Sequence, residues 1–298
     1  MKTIKQQYKK KFFTNDRIFN IINTALITIF VFMVLYPVIY TLSASISSGG
    51  AVDSGRVTFL PVDITFSAYR AAIQDVMFWR SYWNAIHLTF NGTLFNMIIS
   101  LTGAYALAKK DLPGHRLLNL VLVLTMWFGA GMIPTFINFQ ELGLLGSFWG
   151  LIVGFAVNAF NIILLRGAFQ SVSGEMIEAA RIDGANDFQI FYRIAVPSIK
   201  PTTVTVAVMF GIGRWNGFFW TSIMLNDPNM IPLQVYLRRI VIEREINIEF
   251  VQVINEVAHS HATLIYAIIM LSMIPILIIF PYLSRFFRKG LMDGGMKG

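Results

Sequence analysis

Hydrophobic residues occur along this chain in long runs that are separated by shorter polar segments. A helix needs about 20 apolar residues to cross the hydrocarbon core of a bilayer, and six runs are long enough. They are residues 18–42, 84–108, 117–139, 148–168, 202–224 and 262–283. None shows the ten-residue alternation that is typical of a membrane barrel. The pattern predicts an all-α, polytopic membrane protein with six transmembrane helices.

The first apolar run follows a basic and polar segment, residues 1–17. The run is longer than the roughly 7–15 residues of a signal-peptide core, and no clear small-residue cleavage site ends it. We therefore expect a retained first span. The expected organisation is an N-terminal segment (1–17), a transmembrane domain (18–284) and a C-terminal tail (285–298).

Two of the segments between spans are long. Residues 43–83 begin with a small and polar stretch that predicts a loop, and they end in an aromatic stretch that includes Phe78, Trp79 and Trp83. Because amphipathic rings are favoured at the membrane interface, the second half predicts a helix lying at the interface. Residues 225–261 open with a turn at Asn226-Asp227-Pro228 and then look helical and polar.

Lysine and arginine are distributed unevenly between the two sides of this predicted topology. With the N-terminus in the cytoplasm, the inner segments carry 17 of the 24 basic residues and the outer segments carry 6. Acidic residues show no such bias, so the asymmetry follows the positive-inside rule. It predicts that both termini and residues 171–201 lie in the cytoplasm of a bacterial cell.

Composition changes this picture little. Hydrophobic residues make up 55% of the chain and charged residues only 13%, against about 25% charged in a soluble domain. The net charge of +8 lies in clusters beside the apolar runs, which indicates membrane lipid rather than nucleic acid as the partner. With no cysteine, the chain has no disulfide framework and no thiol nucleophile.

The polar segment between the fourth and fifth spans predicts two short helices. Ser173 is a candidate N-cap of the first helix, and Gly184 follows Asp183 where a helix would end on a left-handed residue. Asn186 or Asp187 can cap the second helix. Its apolar stripe is predicted at Phe188, Phe191, Tyr192 and Ala195. Pro197 is predicted to end it, and Pro201 suits the first turn of the next span.

This segment resembles the EAA loop of ABC importer permeases. Glu178-Ala179-Ala180, Asp183-Gly184-Ala185, Ile194, Pro197 and Pro201 match that pattern with its fixed spacing, and Val196 departs from it where leucine is usual. Residues 214–218, Arg-Trp-Asn-Gly-Phe, resemble the W-N-x-F of carbohydrate-importer permeases. The tail from Lys289 to Gly298 resembles that of the branch importing complex oligosaccharides.

The resemblance implies a set of partners and roles. Such a permease pairs with a second, homologous permease, two cytoplasmic ATPase subunits and an extracytoplasmic sugar-binding protein. ATP and magnesium bind to the ATPases, so no cofactor is expected on this chain. Glu178 would meet a basic group on the ATPase, Ala179 and Ala180 would allow close approach, Gly184 would form the turn, and Asp183 would hold the loop through hydrogen bonds. Ala185 and Pro197 belong to the same coupling motif.

An ionisable residue at membrane depth suggests function, and Arg214 is such a residue. It can face the conduit and bind sugar hydroxyls or a carboxylate. It can instead snorkel outwards or pair with an acid on the partner permease. Trp215 and Phe218 can stack on a sugar ring or pack within the bundle, and Asn216 lies between them.

Further polar residues mark two faces of predicted spans. Asn84, His87 and Asn91 share one helical face in the second span, and Asn158 shares a face with Asn161 in the fourth. These faces can line a polar path or hold helices together by hydrogen bonds. Gly129-Ala130-Gly131 and Pro134 predict a kink or a close helix contact in the third span.

Two other function classes are open at this point. A stand-alone secondary carrier or channel has no reason to possess an EAA loop, and carriers tend to show charged relays in several spans. A membrane enzyme needs a nucleophile, base or metal cluster. His87, His115, His259 and His261 show no convergent acidic partners, so we expect no metal site and no enzyme. The chain lacks a P-loop and is not expected to bind ATP.

Overall fold

The computed structural model describes residues 2–246 and 260–295, and within them the chain is helical with no β-strand. The helices are α1 (Lys2–Ser45), α2 (Gly49–Asp53), α3 (Ser67–Gln74), α4 (Val76–Ala108), α5 (His115–Trp127), α6 (Met132–Glu141), α7 (Phe148–Gly154), α8 (Ala159–Gln170), α9 (Gly174–Ile182), α10 (Asp187–Ile190), α11 (Val196–Ser198), α12 (Lys200–Asn216), α13 (Phe219–Met224), α14 (Leu233–Ile246) and α15 (His261–Gly295). A π-helix, Phe191–Ala195, joins α10 to α11, and Pro228–Met230 forms a 3₁₀ turn. The all-α prediction is confirmed for these residues.

The chain divides into two compact units, and the first comprises Met1–Gln74 and Arg244–Leu271. Its described core is small and contains Ala44, Ala51, Val52, Val57 and Ala262. Nearby, the rings of Tyr40 and Tyr266 meet edge to face at 5.7 Å. Most of the apolar side chains of α1 from Ile18 to Leu35 are exposed, as expected for a helix that faces lipid.

The second unit comprises Asp75–Glu243 and Ser272–Gly298, and it is built around α4. This helix packs against α7, α8 and α12. Two buried apolar clusters lie along it. One joins Met97 and Ala104 to residues of α8 and α12, and the other joins Leu88 to residues of α6, α7 and α13.

Two single helices are long and apolar enough to span a membrane, Arg17–Ser45 and His261–Ile279. Up to five spans result if each of three bent helix pairs is counted as one. The 33-residue helix α4 is not among them, because polar residues such as His87, Asn91 and Asn96 interrupt its apolar run. The number of six spans therefore stays a prediction.

The chain bends sharply within the predicted third span, where the sequence indicated a kink or a close helix contact. Helices α5 and α6 are bent by 118°, and Gly131 between them has a φ of +83°. The predicted fourth span is also interrupted, which the sequence pattern did not predict. Helices α7 and α8 are bent by 55°, and Asn158 caps α8 by accepting a hydrogen bond from the Asn161 N–H at 3.0 Å.

The second half of residues 43–83 is helical as predicted, but it is divided between α3 (Ser67–Gln74) and the first turns of α4. Asp75 caps α4 by accepting from the Met77 N–H at 2.8 Å, and the helix runs from Val76 to Ala108 without a break. The aromatic residues Phe78, Trp79 and Trp83 therefore form the first turns of α4. No glycine or proline separates them from the apolar run, so the helix has no reason to stop.

Candidate functional site

The loop that resembles the EAA motif begins with α9. Its Ser173 occupies the N-cap position, although its side chain makes no capping hydrogen bond. Glu178 and Ala179 are exposed, whereas Ala180 is buried. The helix thus presents a carboxylate and a small side chain on its outer face.

The turn after α9 has the hydrogen bonds of a Schellman motif. The Gly184 N–H donates to Arg181 O at 3.0 Å, and the Ala185 N–H donates to Ala180 O at 2.9 Å. This arrangement needs a left-handed residue after the C-cap, and Gly184 has a φ of +84°. Asp183 is the C-cap and donates its backbone N–H to Ala179 O. The predicted helix stop at Gly184 is confirmed.

The second helix begins at a complete capping box. The Gln189 N–H donates to the Asn186 side chain at 2.8 Å, and the Asn186 N–H donates to the Gln189 side chain at 2.9 Å. Of the two caps left open by the sequence, the structure selects Asn186.

Asp187 links the loop to the end of α4. Its carboxylate lies 3.2 Å from the Lys109 ammonium and 3.4 Å from the Arg181 guanidinium. The hydrogen bond and charge of Lys109, followed by those of Arg181, lower the pKa of Asp187 below its usual value. Because the carboxylate is well exposed, this network orients the loop more than it stabilises it.

The second helix ends at Ser198, one residue beyond the stop predicted at Pro197. The backbone widens to a π-helix over Phe191–Ala195, where the Val196 N–H bonds to Phe191 O. A proline in a regular α-helix clashes with the carbonyl four residues earlier, and the wider turn just before Pro197 relieves that clash. The axis then turns by 85° between Ser198 and Lys200, and Pro201 lies in the first turn of α12 as predicted.

The π-helix also changes which side chains are buried. Ile190, Ala195 and Ile199 are buried and Phe191 is half-buried, whereas Phe188 and Tyr192 are exposed. The predicted stripe is therefore wrong at Phe188 and Tyr192, because it assumed an unbroken α-helical period. The centroids of their two rings lie 5.8 Å apart.

The loop consequently exposes apolar surface. Ile182 is 87% exposed and Phe188 is 71% exposed, and Met176 and Tyr192 are also open to solvent. Large apolar side chains that gather on a short polar loop mark a surface for a protein partner.

A cavity of about 630 Å³ lies in the second unit, beside the break between α7 and α8. Its lining combines amide side chains with aromatic rings and one cation. The lining includes Asn158, Asn161, Asn216, Phe155, Phe218 and Arg214. Among the described lining residues there is no aspartate or glutamate. The cavity can offer hydrogen bonds, apolar contact and positive charge to a solute.

Arg214 does not extend freely into this cavity. Its Nη1 donates to Leu151 O at 2.8 Å, and its Nη2 lies 3.0 Å from Phe155 O, 3.1 Å from Ile152 O and 2.8 Å from Asn96 Oδ1. None of these acceptors is charged. The guanidinium therefore closes one wall of the cavity and keeps its charge there.

The structure divides the other predicted pathway residues into two groups. Asn158, Asn216 and Phe218 line the same cavity as Arg214. Trp215 is buried, and its ring centroid lies 5.9 Å from that of Tyr82. It lines a separate apolar cavity of about 270 Å³.

The predicted polar face of α4 lies outside the main cavity. The Asn84 side chain donates to Asn229 O at 2.8 Å. The ring centroids of His87 and Phe148 lie 5.5 Å apart. Asn91 donates to the His87 carbonyl within its own helix. Whether any of these residues meets a solute stays a prediction.

Two further amides line the cavity: Asn161, which the sequence placed on one face with Asn158, and Asn96, which the sequence analysis did not select. Asn161 is 96% buried, and its Oδ1 has no hydrogen-bond partner in the described part of the chain. Asn96 is 98% buried and bridges Arg214 to Phe155. The sequence signal for Asn96 is a polar amide inside an apolar run. Its hydrogen-bond partner Arg214 lies 118 residues away along the chain, so the contact could not be identified from the sequence.

No group of three potential metal ligands occurs in the described residues. His115 contacts Asn119 at the start of α5, and His259 lies outside the described residues.

Comparisons with known proteins agree with this architecture. Residues 9–293 match the family described as "Binding-protein-dependent transport system inner membrane component". The chain is 32% identical to the polygalacturonan/rhamnogalacturonan transport system permease protein YtcP of Bacillus subtilis (strain 168), over 95% of this chain and 99% of that protein. It is 31% identical to protein LplC of the same organism, over 95% and 96%.

A solved structure is also similar. It is a chain of a bacterial ABC transporter involved in the import of the acidic polysaccharide alginate, with 46% identity, a TM-score of 0.87 and coverage of 92% of this chain and 98% of that chain. These relatives are transport components, which confirms that the chain is not an enzyme. They also replace the alternative of a stand-alone carrier with a subunit of a larger system. The chain belongs to the family of inner-membrane components of binding-protein-dependent transport systems.

Proposed function

We propose that this chain is the permease subunit of an ATP-driven importer whose substrate is an acidic oligosaccharide. The cavity that contains Arg214 is the observation that carries the proposal. It joins the amides of Asn158, Asn161 and Asn216 to aromatic rings and a cation, and its described lining has no acid. Amides and rings suit sugar hydroxyls and ring faces, and the uncompensated charge favours a carboxylate.

The relatives support the acidic character of the substrate. One is a permease protein for polygalacturonan and rhamnogalacturonan, and the similar solved structure imports alginate, an acidic polysaccharide. Both polymers carry carboxylates on sugar rings. A chain that shares nearly its whole length with both is expected to carry a substrate of that chemical class.

The loop of residues 171–201, which we call the coupling loop, supports the partners of the proposal. ATP and magnesium bind to two ATPase subunits, and one of these docks on α9, with Glu178 meeting a basic group and Ala179 allowing close approach. The exposed Ile182 and Phe188 extend that docking surface. A second, homologous permease and an extracytoplasmic sugar-binding protein complete the assembly. Closure of the ATPases drives alternating access through the loop.

The membrane topology is part of the same proposal. Six spans lie within residues 18–284, and residues 1–17, 171–201 and 285–298 face the cytoplasm. The excess of lysine and arginine in these segments supports this orientation in a bacterial cell membrane.

The test is transport by the complete complex in liposomes. ATP-dependent uptake of an acidic oligosaccharide, such as an oligogalacturonide, is compared with uptake of a neutral oligosaccharide of equal length. N161A, which removes a buried cavity amide, is expected to raise the half-saturation concentration about tenfold. N138A changes an exposed amide of α6 and serves as the control. Equal uptake of the neutral sugar would overturn the acidic assignment.

A further inference from the structure

The described cavity wall is held by a contact among three helices. The guanidinium of Arg214, on α12, contacts the carbonyls of Leu151 and Ile152 in the last turn of α7 and the carbonyl of Phe155 just after it. Asn96 on α4 donates to the same Phe155 oxygen at 3.0 Å and accepts from Arg214. We call Arg214, Asn96 and these carbonyls the latch.

The acceptors of the latch are groups that a broken helix leaves unpaired. The last four carbonyls of a helix have no partner within it, and inside an apolar region they must be satisfied by other groups. A cation at a helix C-terminus also interacts favourably with the helix dipole. Arg214 therefore permits α7 to end within the bundle.

Gly92 makes room for the latch. It lies one turn before Asn96 on α4, and a Cβ at this position would lie 2.9 Å from Arg214 Nε and 3.1 Å from its Cδ. The end of an arginine side chain normally moves away easily. Here its head is fixed by hydrogen bonds to four acceptors, so any shift weakens them.

The latch fixes the wall on which the cavity amides stand. The break from Phe155 to Asn158 carries Val157, which is 61% exposed, and ends in the cap of α8. Asn158 and Asn161 enter the cavity from that cap. The position of both amides thus depends on where the carbonyls of α7 are held.

We propose that Gly92, Asn96 and Arg214 are positioning residues that hold the break between α7 and α8 and so set the shape of the substrate cavity. The functional part of this inference rests on the proposed role of the cavity as the sugar path. Arg214 acts on the substrate through the wall it holds, in addition to any attraction by its charge.

The experiment measures the break directly. The chain has no cysteine, so V157C introduces a single thiol into the break. In the assembled complex, its rate of reaction with a water-soluble maleimide is compared among G92A, R214M, N96L and the parent. G103A is the matched control, because Gly103 lies on the same helix and a Cβ there meets nothing within 4 Å.

The labelling rate is expected to change about tenfold in R214M and in G92A, because losing a hydrogen bond to a charged group has an effect of that size. In G103A the labelling rate is expected to stay unchanged. The decisive variant is G92A/R214M. Because the added methyl group clashes only with the arginine, the double variant is expected to label like R214M alone. Additive effects of the two substitutions would overturn the latch.

Two further measurements keep the outcomes separate. If G92A does not assemble, G92A/R214M is expected to assemble as well as R214M, and its failure would contradict the proposed contact. In transport, G92A is expected to raise the half-saturation concentration more than it lowers the maximal rate. If the labelling pattern holds but acidic sugars are not carried, the latch stands and the proposed substrate is wrong. Parent-like labelling in R214M would overturn the latch whatever the substrate.

Discussion

The coupling loop and the latch each combine a glycine, a capping amide and an arginine. They differ in how far apart along the chain the contacting residues lie. In the loop, Gly184, Asn186 and Arg181 bond to partners within six residues along the chain. In the latch, Arg214 bonds to partners 59 to 118 residues away. The loop can thus keep its form while its outer face meets another protein, whereas the latch holds only if three helices stay packed.

The difference predicts separate consequences of substitution. Changes within α7, the helix whose end the latch holds, should destabilise the subunit. Changes on the loop surface should weaken the assembly while leaving the subunit folded. Four substitutions test this contrast, in order of decreasing expected effect.

The largest effect is expected for G150A. A Cβ at Gly150 would lie 1.7 Å from the Leu144 carbonyl oxygen, which belongs to the backbone and cannot rotate away. Overpacking of this kind costs about 3 kcal/mol, so thermal unfolding of the detergent-solubilised subunit should occur at a markedly lower temperature. G167A is the control, since a Cβ there meets nothing within 4 Å. Equal midpoints for G150A and G167A would contradict the tight approach.

G184V is expected to have the next largest effect, and on the assembly rather than on the subunit. Because a β-branched residue at a φ of +84° costs about 2 kcal/mol, the exposed turn is expected to open locally, and α9 then loses its orientation. ATPase should no longer co-purify, while the unfolding midpoint of the isolated permease changes little. G184N is the matched variant, because asparagine tolerates this conformation, and it should retain the ATPase. Full retention by G184V would refute the role of the turn.

E178K should reduce substrate-stimulated ATP hydrolysis about tenfold by reversing the charge at the docking helix. Glu178 is exposed, so folding and membrane insertion should be unaffected. E141K changes another exposed carboxylate, at the end of α6, and should behave like the parent. If E178K shows the same substrate-stimulated ATP hydrolysis as the parent, Glu178 is not part of the docking surface.

The smallest effect concerns Asp187 and depends on pH. Its pKa is lowered in the folded protein, mainly by Lys109, so its stabilising contribution is present above the unfolded pKa of about 3.9 and is lost as pH falls through the lower folded value. D187N should lower stability by only about 0.5 kcal/mol at pH 7, because the pair is exposed. The deficit should be unchanged at pH 5 and should shrink in high salt. A deficit that grows between pH 7 and pH 5 would show that another group is responsible.

The same contrast explains what could be predicted from the sequence. The helix stop at Gly184 and the cap at Asn186 follow from residues a few positions apart, so they could be identified in advance. The capping of α7 by Arg214 could not, because it requires knowing that the fourth span breaks at Phe155 and that α12 passes beside the break. The pattern likewise placed Phe188 and Tyr192 in a buried stripe, since a regular period gives no warning of a π-helix.

That π-helix has a consequence for how the loop is connected to α12. A π-turn contains one residue more than the α-helical ladder requires, so Phe191–Ala195 accommodates one additional residue within the helix. Each residue of an α-helix turns the chain by about 100°, so the extra residue offsets the phase of the exposed rings of Phe188 and Tyr192 relative to the buried Ala195 and Ile199. Deleting one residue from this segment would restore the regular period and swing the two rings around the helix axis. The exposed apolar surface that we propose as a docking site is therefore set by the number of residues in the segment and not only by the identity of its side chains.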